Sequence, residues 1–453
     1  MKNYILKIFL FGTILSLVSC EDFLSPQPES EISSSNFYRD DKEVESGIIA
    51  IYDGMQNYIQ TEWPIAEMRS DNTHTRAQRS EGEWREFETM NVQVINSTVS
   101  KYWLDNYNVI FRANTVIANL NNVTTESLKA QFEGEAKFAR ALSHFNLVRA
   151  FGDVPVIDKV IKYSDVDYFN RDPQSEVYDL IVSDLKTAAA TLPTRSNMAF
   201  GRATKGAAQA ILAKVYLTLK DYPSAKTLLD EIISSGDYAL LPKYNDVFYK
   251  ERNNEIIFAV QYILNDTKDS QNFSYQWTEN GLNYPTTDLM NTVAAGDLRR
   301  STLFFWNPLA GATGDWENGK FRPSTLSQTQ GNDWIVTRYA DVLLMHAEAI
   351  LGNNSSTTDA AALSSFNAIR TRAGIPTVTT LTKDLLLSER RIELCFENNR
   401  LYDLIRFGKA ESVLAAFSLT PEPGFTFEAT ALLLPIPQRE RNIYKELGQN
   451  PGY

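Results

Sequence analysis

Three histidines, 56 carboxylates and seven tryptophans are the residues through which this 453-residue chain could do chemistry. Catalysis is the first use to weigh. His144 and His346 sit inside apolar, helix-like stretches, where a hydrogen-bonded core histidine is the plainer reading, and His74 lies in a polar stretch. No Gly-x-Ser-x-Gly, His-Glu-x-x-His or phosphate-cradling glycine loop occurs. No nucleophile stands with a base and an orienting group. Carboxylates keep a glycoside hydrolase open, because such an enzyme needs one protonated and one ionised carboxyl facing each other across a cleft. Glu389, Glu393 and Glu397 recur at helical spacing, but Arg390, Arg391, Arg400 and Arg406 surround them in sequence. Those cations would lower the carboxyl pKa values, the reverse of what a general acid needs. The pattern predicts an ion-pair network that locks the C-terminal part of the chain, with Glu348, Arg370 and Arg372 as structural pairs of the same kind. No catalytic residue is assigned.

Ligand binding is a better use of the remaining side chains. A sugar presents flat C–H faces bordered by hydroxyls, so an indole or phenol ring covers the face while Asp, Asn, His or Arg bonds the rim. Trp84 with Asp71, Asn72, His74, Arg76 and Arg79 supplies both elements within one stretch, and Trp277, Tyr284, Trp306 and Trp316 with Arg322 supply an opposing wall. Trp63 and Trp103 are expected to pack helices instead. Arg69, Arg76, Arg79 and Arg85, joined by Arg299 and Arg300, would favour an acidic glycan, since guanidinium forks onto carboxylate and sulfate. The interleaved Glu81, Glu83, Glu86 and Glu88 offer the alternative that these arginines are simply paired. Asp165 with Asp167, and Asp266 with Asp269, lack the spacing of a dedicated calcium loop, so no metal and no cofactor is assigned.

The whole chain must hold these residues by packing. Its formal charge of −12 argues against nucleic acid as a partner, because phosphate binding needs clustered Lys and Arg. Of the two cysteines, Cys20 is accounted for by the N-terminal signal, leaving Cys395 with no disulfide partner. Lys2 and Lys7, the apolar run Ile8–Val18 and the small Ser19 before Cys20 read as a lipoprotein signal peptide over residues 1–19. Lipidation is expected at Cys20, with an acidic Glu21-Asp22 export signal and a tether over 20–36. Each buried CH₂ of the acyl chains contributes about 0.8 kcal/mol, so several chains anchor a protein durably.

Residues 37–453 are expected to form one domain. Helical periodicity recurs in 43–60, 103–120, 133–151, 175–192 and 202–219. Leu212-Ala213-x-x-Tyr216 and Ala225-x-x-x-Leu229 match a tetratricopeptide unit, which 341–370 echoes around a polar loop, Gly352–Asp359. Helical repeats over about 40–235 and 335–410 would then flank a loop-rich insert, about 236–335, whose best strand is Glu255–Tyr262. A second irregular stretch is expected at Glu62–Ser97.

Several local patterns occur in a characteristic order. They include Ala139-Arg140-Ala141, Phe151-Gly152-Asp153-Val154-Pro155, Arg338-Tyr339-Ala340-Asp341 running to Glu348-Ala349, and Asn367-x-x-Arg370-x-Arg372-Ala373-Gly374. Glu389–Leu394, Asn399–Arg406, Leu434-Pro435-Ile436-Pro437 and Gln449-Asn450-Pro451-Gly452-Tyr453 follow. Together they resemble the SusD/RagB family of outer-membrane nutrient-binding lipoproteins across nearly the whole chain. The resemblance implies a mainly α fold, in which four tetratricopeptide-like helix pairs pack against an irregular ligand-binding region with a few short strands. It also implies a non-catalytic lid that passes a glycan to a SusC-like TonB-dependent transporter in the outer membrane, facing the cell exterior. The alternatives are a peptide-binding RagB-like uptake lipoprotein and an α-helical glycan-degrading enzyme.

Overall fold

The computed structural model describes residues 37–75, 82–278, 281–308, 314–323, 327–420 and 424–453. The lipidation and tether expectations, together with Arg76 and Arg79, lie outside these residues.

Among the described residues, nine long helices form the frame: α1 (Asp41–Ala66), α2 (Ser97–Ala118), α3 (Glu126–Phe151), α4 (Gln174–Thr191), α5 (Lys205–Thr218), α6 (Tyr222–Ser235), α7 (Tyr339–Leu351), α8 (Ala360–Arg372) and α9 (Lys383–Leu394). From α1 to α8 each helix packs on the next in chain order, and α7 reaches back to α6 across about a hundred intervening residues. The long helices thus lie in 41–235 and 339–394, with short strands and short helices between. Side-chain caps set the boundaries. Asp40 accepts from Glu43 N–H, Asn96 from Val99, Thr204 from Ala207, Asp221 from Ser224 and Thr382 from Leu385. Several boundaries differ from expectation, and α2 and α3 begin earlier, at Ser97 and Glu126. The first helix runs through Pro64 to Ala66, because Thr61–Ala66 are all buried and tertiary packing outweighs the local breaker. No helix of the described residues is long and apolar enough to cross a membrane.

Helix α3 is the centre of the stack and is buried along most of its length. Its buried charges are consequently paired. Arg140 forks onto Asp184 at 2.7 and 2.8 Å, and Glu135 takes Arg202. His144 is fully buried, accepts from Ile157 N–H, and is pushed down to about 3 by burial, so it is a neutral core histidine. His346 contacts Ser365 and Asp230. The C-terminal motif clamps the far end of α3. Leu434 N–H donates to Ala150 O, while the Asn450 amide donates to Phe151 O and Leu434 O.

A buried ion-pair network joins the insert to helix α9. Arg338 bonds Glu255, Glu393 and Glu397; Lys320 bonds Glu397; Arg299 bonds Asp297, Glu389 and Glu393; and Arg372 bonds Glu255 and Glu393. The helix stops at Leu394, and Glu397 reaches the cluster through left-handed turns at Phe396 and Asn398 rather than along a helical face. Glu348 pairs with Arg406, and Arg370 with Glu389.

Burial alone would raise these carboxyls, but the surrounding guanidiniums outweigh it and hold Glu393 and Glu397 below the usual range, as they do Asp341, Asp403 and Asp71. A carboxyl depressed in the folded state stabilises above its unfolded pKa, near 4, and that stability is lost as pH falls below it. The urea midpoint is therefore expected to fall steeply between about pH 4 and 2, below the range in which the unfolded chain has already protonated the histidine that the fold keeps neutral. A midpoint unchanged at pH 3 would contradict the pairing.

Candidate functional site

The insert is built from short strands and loops. Strand β2 (Ile256–Val260) pairs antiparallel with β6 (Trp334–Arg338), which fits the expected strand within 255–262. Strand β1 (Thr73–His74) pairs with β3 (Tyr284–Pro285), bringing the early loop against the insert. Strands β4 (Phe304–Asn307) and β5 (Asp315–Asn318) form a hairpin in which Phe305 faces Glu317 and Trp306 faces Trp316.

Strand alternation gives this hairpin two different faces. Phe304 and Asn318 bury one face at its base, and further out on the same face stand Trp306 and Trp316, 44% and 39% exposed. Their rings meet at 5.4 Å and 68°. On the opposite face Glu317 accepts from the Tyr284 hydroxyl and the Asn307 amide, which ties the hairpin to β3. His74 lies across from Tyr284, with 6.3 Å between ring centroids. Arg322 lies over Phe305. Tyr284, with His74 beside it, and Arg322 on Phe305 therefore lie against the hairpin face opposite the Trp306–Trp316 pair.

Exposed indoles are unusual in this chain. Trp63, Trp103, Trp277 and Trp334 are all nearly inaccessible. Trp277 packs edge-on to Trp63, Phe321 and Trp334 in an aromatic core under the insert, and Trp84 stacks on Trp63 at 5.2 Å. A protein seldom leaves two adjacent indoles in water unless another surface covers them.

Four expected contact residues are corrected by their burial. Asp71 has both carboxylate oxygens on Arg400 at 2.7 Å and also bonds Arg391, so it positions the early loop. Asn72 is consumed by Glu67 and Arg391. Trp277 and Tyr284 are each 1% exposed and support the site from beneath. Three described members of the arginine cluster are likewise committed elsewhere. Arg69 is buried on the carbonyls of Ile65 and Ala431, Arg299 belongs to the ion network, and Arg300 bonds the carbonyls of Met290 and Val293. Glu83 and Glu86 bond the start of α2 through Ser97 and Asn96, and Glu88 bonds Thr75.

Two clefts open in the insert, and one of them adjoins the hairpin. One, of about 380 Å³, lies between Tyr249, Thr302, Phe305 and Arg322. The other, of about 620 Å³, is lined by Gln56, Tyr249, Tyr262, Leu264, Asn332 and Asp333, and burial pushes the Asp333 carboxyl up to about 7. Tyr249 and Asn332 line both, and neither was expected from the sequence. The signal for the indole pair was legible, however. Phe304–Asn307 and Asp315–Asn318 flank the glycine-bearing stretch Gly311-Ala312-Thr313-Gly314, a hairpin pattern that puts both tryptophans on one face.

Gly314 has φ +85°, and a Cβ there would fall 2.6 Å from Trp306 Cζ2. Gly314→Ala is expected to displace the Trp306 indole and to cost about 1–2 kcal/mol for the left-handed backbone. Tryptophan emission together with a thermal melt reports both effects, and unchanged emission would contradict the close packing.

A model described as the SusD family matches residues 318–453, and one described as starch-binding, associating with the outer membrane, matches residues 22–217. A SusD-like protein of Formosa agariphila is 27% identical over 522 aligned positions that cover all of both chains. A SusD-like protein of Bacteroides ovatus is 28% identical, with 89% of this chain and 82% of that one covered. Among solved structures, a laminarin-binding SusD-like protein superposes with a TM-score of 0.75 at 26% identity, covering 92% of this chain and all of the other. Surface glycan-binding protein A of Bacteroides thetaiotaomicron, solved with laminarihexaose, has the same fold, with a TM-score of 0.78 at 22% identity over 91% and 99% of the two chains.

Proposed function

Because the chain belongs to the SusD family of glycan-binding proteins, we propose that it is a lipid-anchored outer-membrane protein that captures an oligo- or polysaccharide and hands it, uncut, to a SusC-like TonB-dependent transporter. The observation that carries this reading is the exposed Trp306–Trp316 pair on a hairpin braced by Tyr284 and Glu317. Two indoles about 5 Å apart at a steep angle offer apolar faces to sugar rings.

Three further observations support the finer parts. The sequence up to Cys20 supports the anchor. The bound-sugar relatives support a glycan over a peptide as ligand. The carboxylates Glu389, Glu393 and Glu397 are saturated by arginine and lysine, so none has the open position of a general acid, and Glu393 and Glu397 are held below the usual carboxylate range.

The purified protein is expected to be retarded on a gel containing its polysaccharide while releasing no new reducing ends over hours. Release of reducing ends would refute non-cleaving capture. From detergent-solubilised membranes it is expected to co-purify with a β-barrel partner, and recovery of the protein alone would count against delivery to a transporter.

A further inference from the structure

Most buried arginines of this chain are committed to carboxylates. Arg140 pairs with Asp184, Arg390 with Asp403, Arg400 with Asp71 and Arg406 with Glu348. Half-buried Arg322 differs. Its guanidinium carbon lies 3.4 Å from the centroid of the Phe305 ring, and among the described residues no carboxylate or carbonyl accepts its side-chain N–H groups. Stacking uses a face of the guanidinium and leaves its edge, where hydrogen bonds form, available.

The backbone that carries this side chain is fixed. The Tyr249 hydroxyl accepts from Arg322 N–H and donates to Gly319 O, and the Asn332 amide donates to Arg322 O. The preceding Phe321 is buried and stacked on Trp334 at 5.3 Å. Gly319 is also constrained, since a Cβ there would fall 2.2 Å from Thr302 O. The guanidinium is thus presented at a set place beside the cleft of about 380 Å³, whose other polar lining groups are the neutral Asn245, Tyr249, Ser301, Thr302 and Asn332. No acidic residue lines it among the described residues. The acid opposite Phe305, Glu317, bonds Tyr284 and Asn307. A cation, an aromatic wall and neutral amides and hydroxyls, with no built-in anion, match a polyhydroxylated ring carrying one negative group.

We propose that this cleft is a subsite for an acidic sugar unit, with Arg322 receiving its carboxylate or sulfate. The inference rests on the glycan-binding reading and narrows the ligand to acidic glycans.

Ligand-observed NMR titration with three monomers, glucose, glucuronate and glucose 6-sulfate, tests it directly. A hydrogen bond to a charged group adds about 1.5–3 kcal/mol, so at least one of the two anions is expected to bind about tenfold tighter than glucose. Preference for glucuronate alone identifies carboxylate as the natural group, and preference for the sulfate alone identifies sulfate. Arg322→Gln is expected to bring both anions to the level of glucose, and Arg322→Lys, which keeps charge without the fork, to restore part of the difference. Both variants should melt near the parent, because Arg322 makes no side-chain hydrogen bond whose loss would matter. The proposal is overturned if glucose and both anions bind alike, if neither anion binds saturably, or if the preference survives Arg322→Gln. None of those results touches the indole pair, whose role is decided by neutral oligosaccharide binding to the Trp306 and Trp316 variants.

Discussion

Replacing Trp306 and Trp316 together with alanine is expected to lower glycan affinity by about a hundredfold or more while leaving the helical circular dichroism unchanged. Truncating an aromatic anchor in a binding surface commonly costs about 2 kcal/mol or more, and each 1.4 kcal/mol is tenfold. The two rings contact one another, so the single variants are not expected to add up to the double. Stability should change little, because both indoles already stand substantially in water and their mutual contact is worth about 1 kcal/mol. Trp277→Ala is the informative contrast. That ring is buried among Trp63, Phe273, Phe321 and Trp334, so its loss should cost about 3–5 kcal/mol of stability and weaken binding only by loosening the insert. Isothermal titration alongside thermal melts separates the two. If the double variant binds like the parent, the hairpin is not the binding surface.

The second large effect concerns the frame. Arg338→Met is expected to destabilise the protein by about 3–5 kcal/mol, because removing one partner of a buried ion cluster strands the others. Arg338 is inaccessible and holds Glu255 at 2.8 Å, Glu393 at 2.6 Å and Glu397 at 2.8 Å. Without it, Glu255 and Glu393 still face Arg372, and Glu397 still faces Lys320, but three carboxylates then share fewer cations in a site without water. The melting temperature should fall by about 3–6 °C, given roughly 1 °C per kcal/mol at about 2.1 cal/mol/K of unfolding entropy per residue for a chain of this size. By contrast, Lys101→Met, which removes the exposed pair with Asp105, should shift it by less than about 2 °C. Because Arg338 ends strand β6 and its acids include Glu393 of α9, the variant should also increase hydrogen exchange in β2 and β6. A melt within 2 °C or so of the parent would mean the cluster contributes little.

Helices were readable in the sequence and the binding residues largely were not, for physical reasons. Apolar residues at three and four spacing mark a packed helical face whatever it packs against, so α2 through α8 lie close to where periodicity puts them. The ion network was legible because Arg and Glu cannot be crowded together in an apolar C-terminal stretch without pairing. Indole burial is a tertiary property. Trp277 and Trp316 both sit in irregular, Asn- and Gly-rich sequence, yet one fills the aromatic core while the other stands in water. Nothing local distinguishes them except the strand alternation around Trp316. Asp71 likewise looked available because its partner Arg400 is distant in sequence, and Glu83 and Glu86 bond Ser97 and Asn96 at the start of another helix. Tyr249 and Asn332 carry no signal at all, since each matters only because the insert folds back to place them between two clefts.

The most direct measurement is a crystal structure with the tightest-binding oligosaccharide found on an array of neutral and acidic glycans. Sugar rings are expected against the Trp306 and Trp316 indoles, with the protein backbone otherwise unmoved. Density for the glycan elsewhere, with both indoles bare, would contradict the claim that this hairpin grips the ligand.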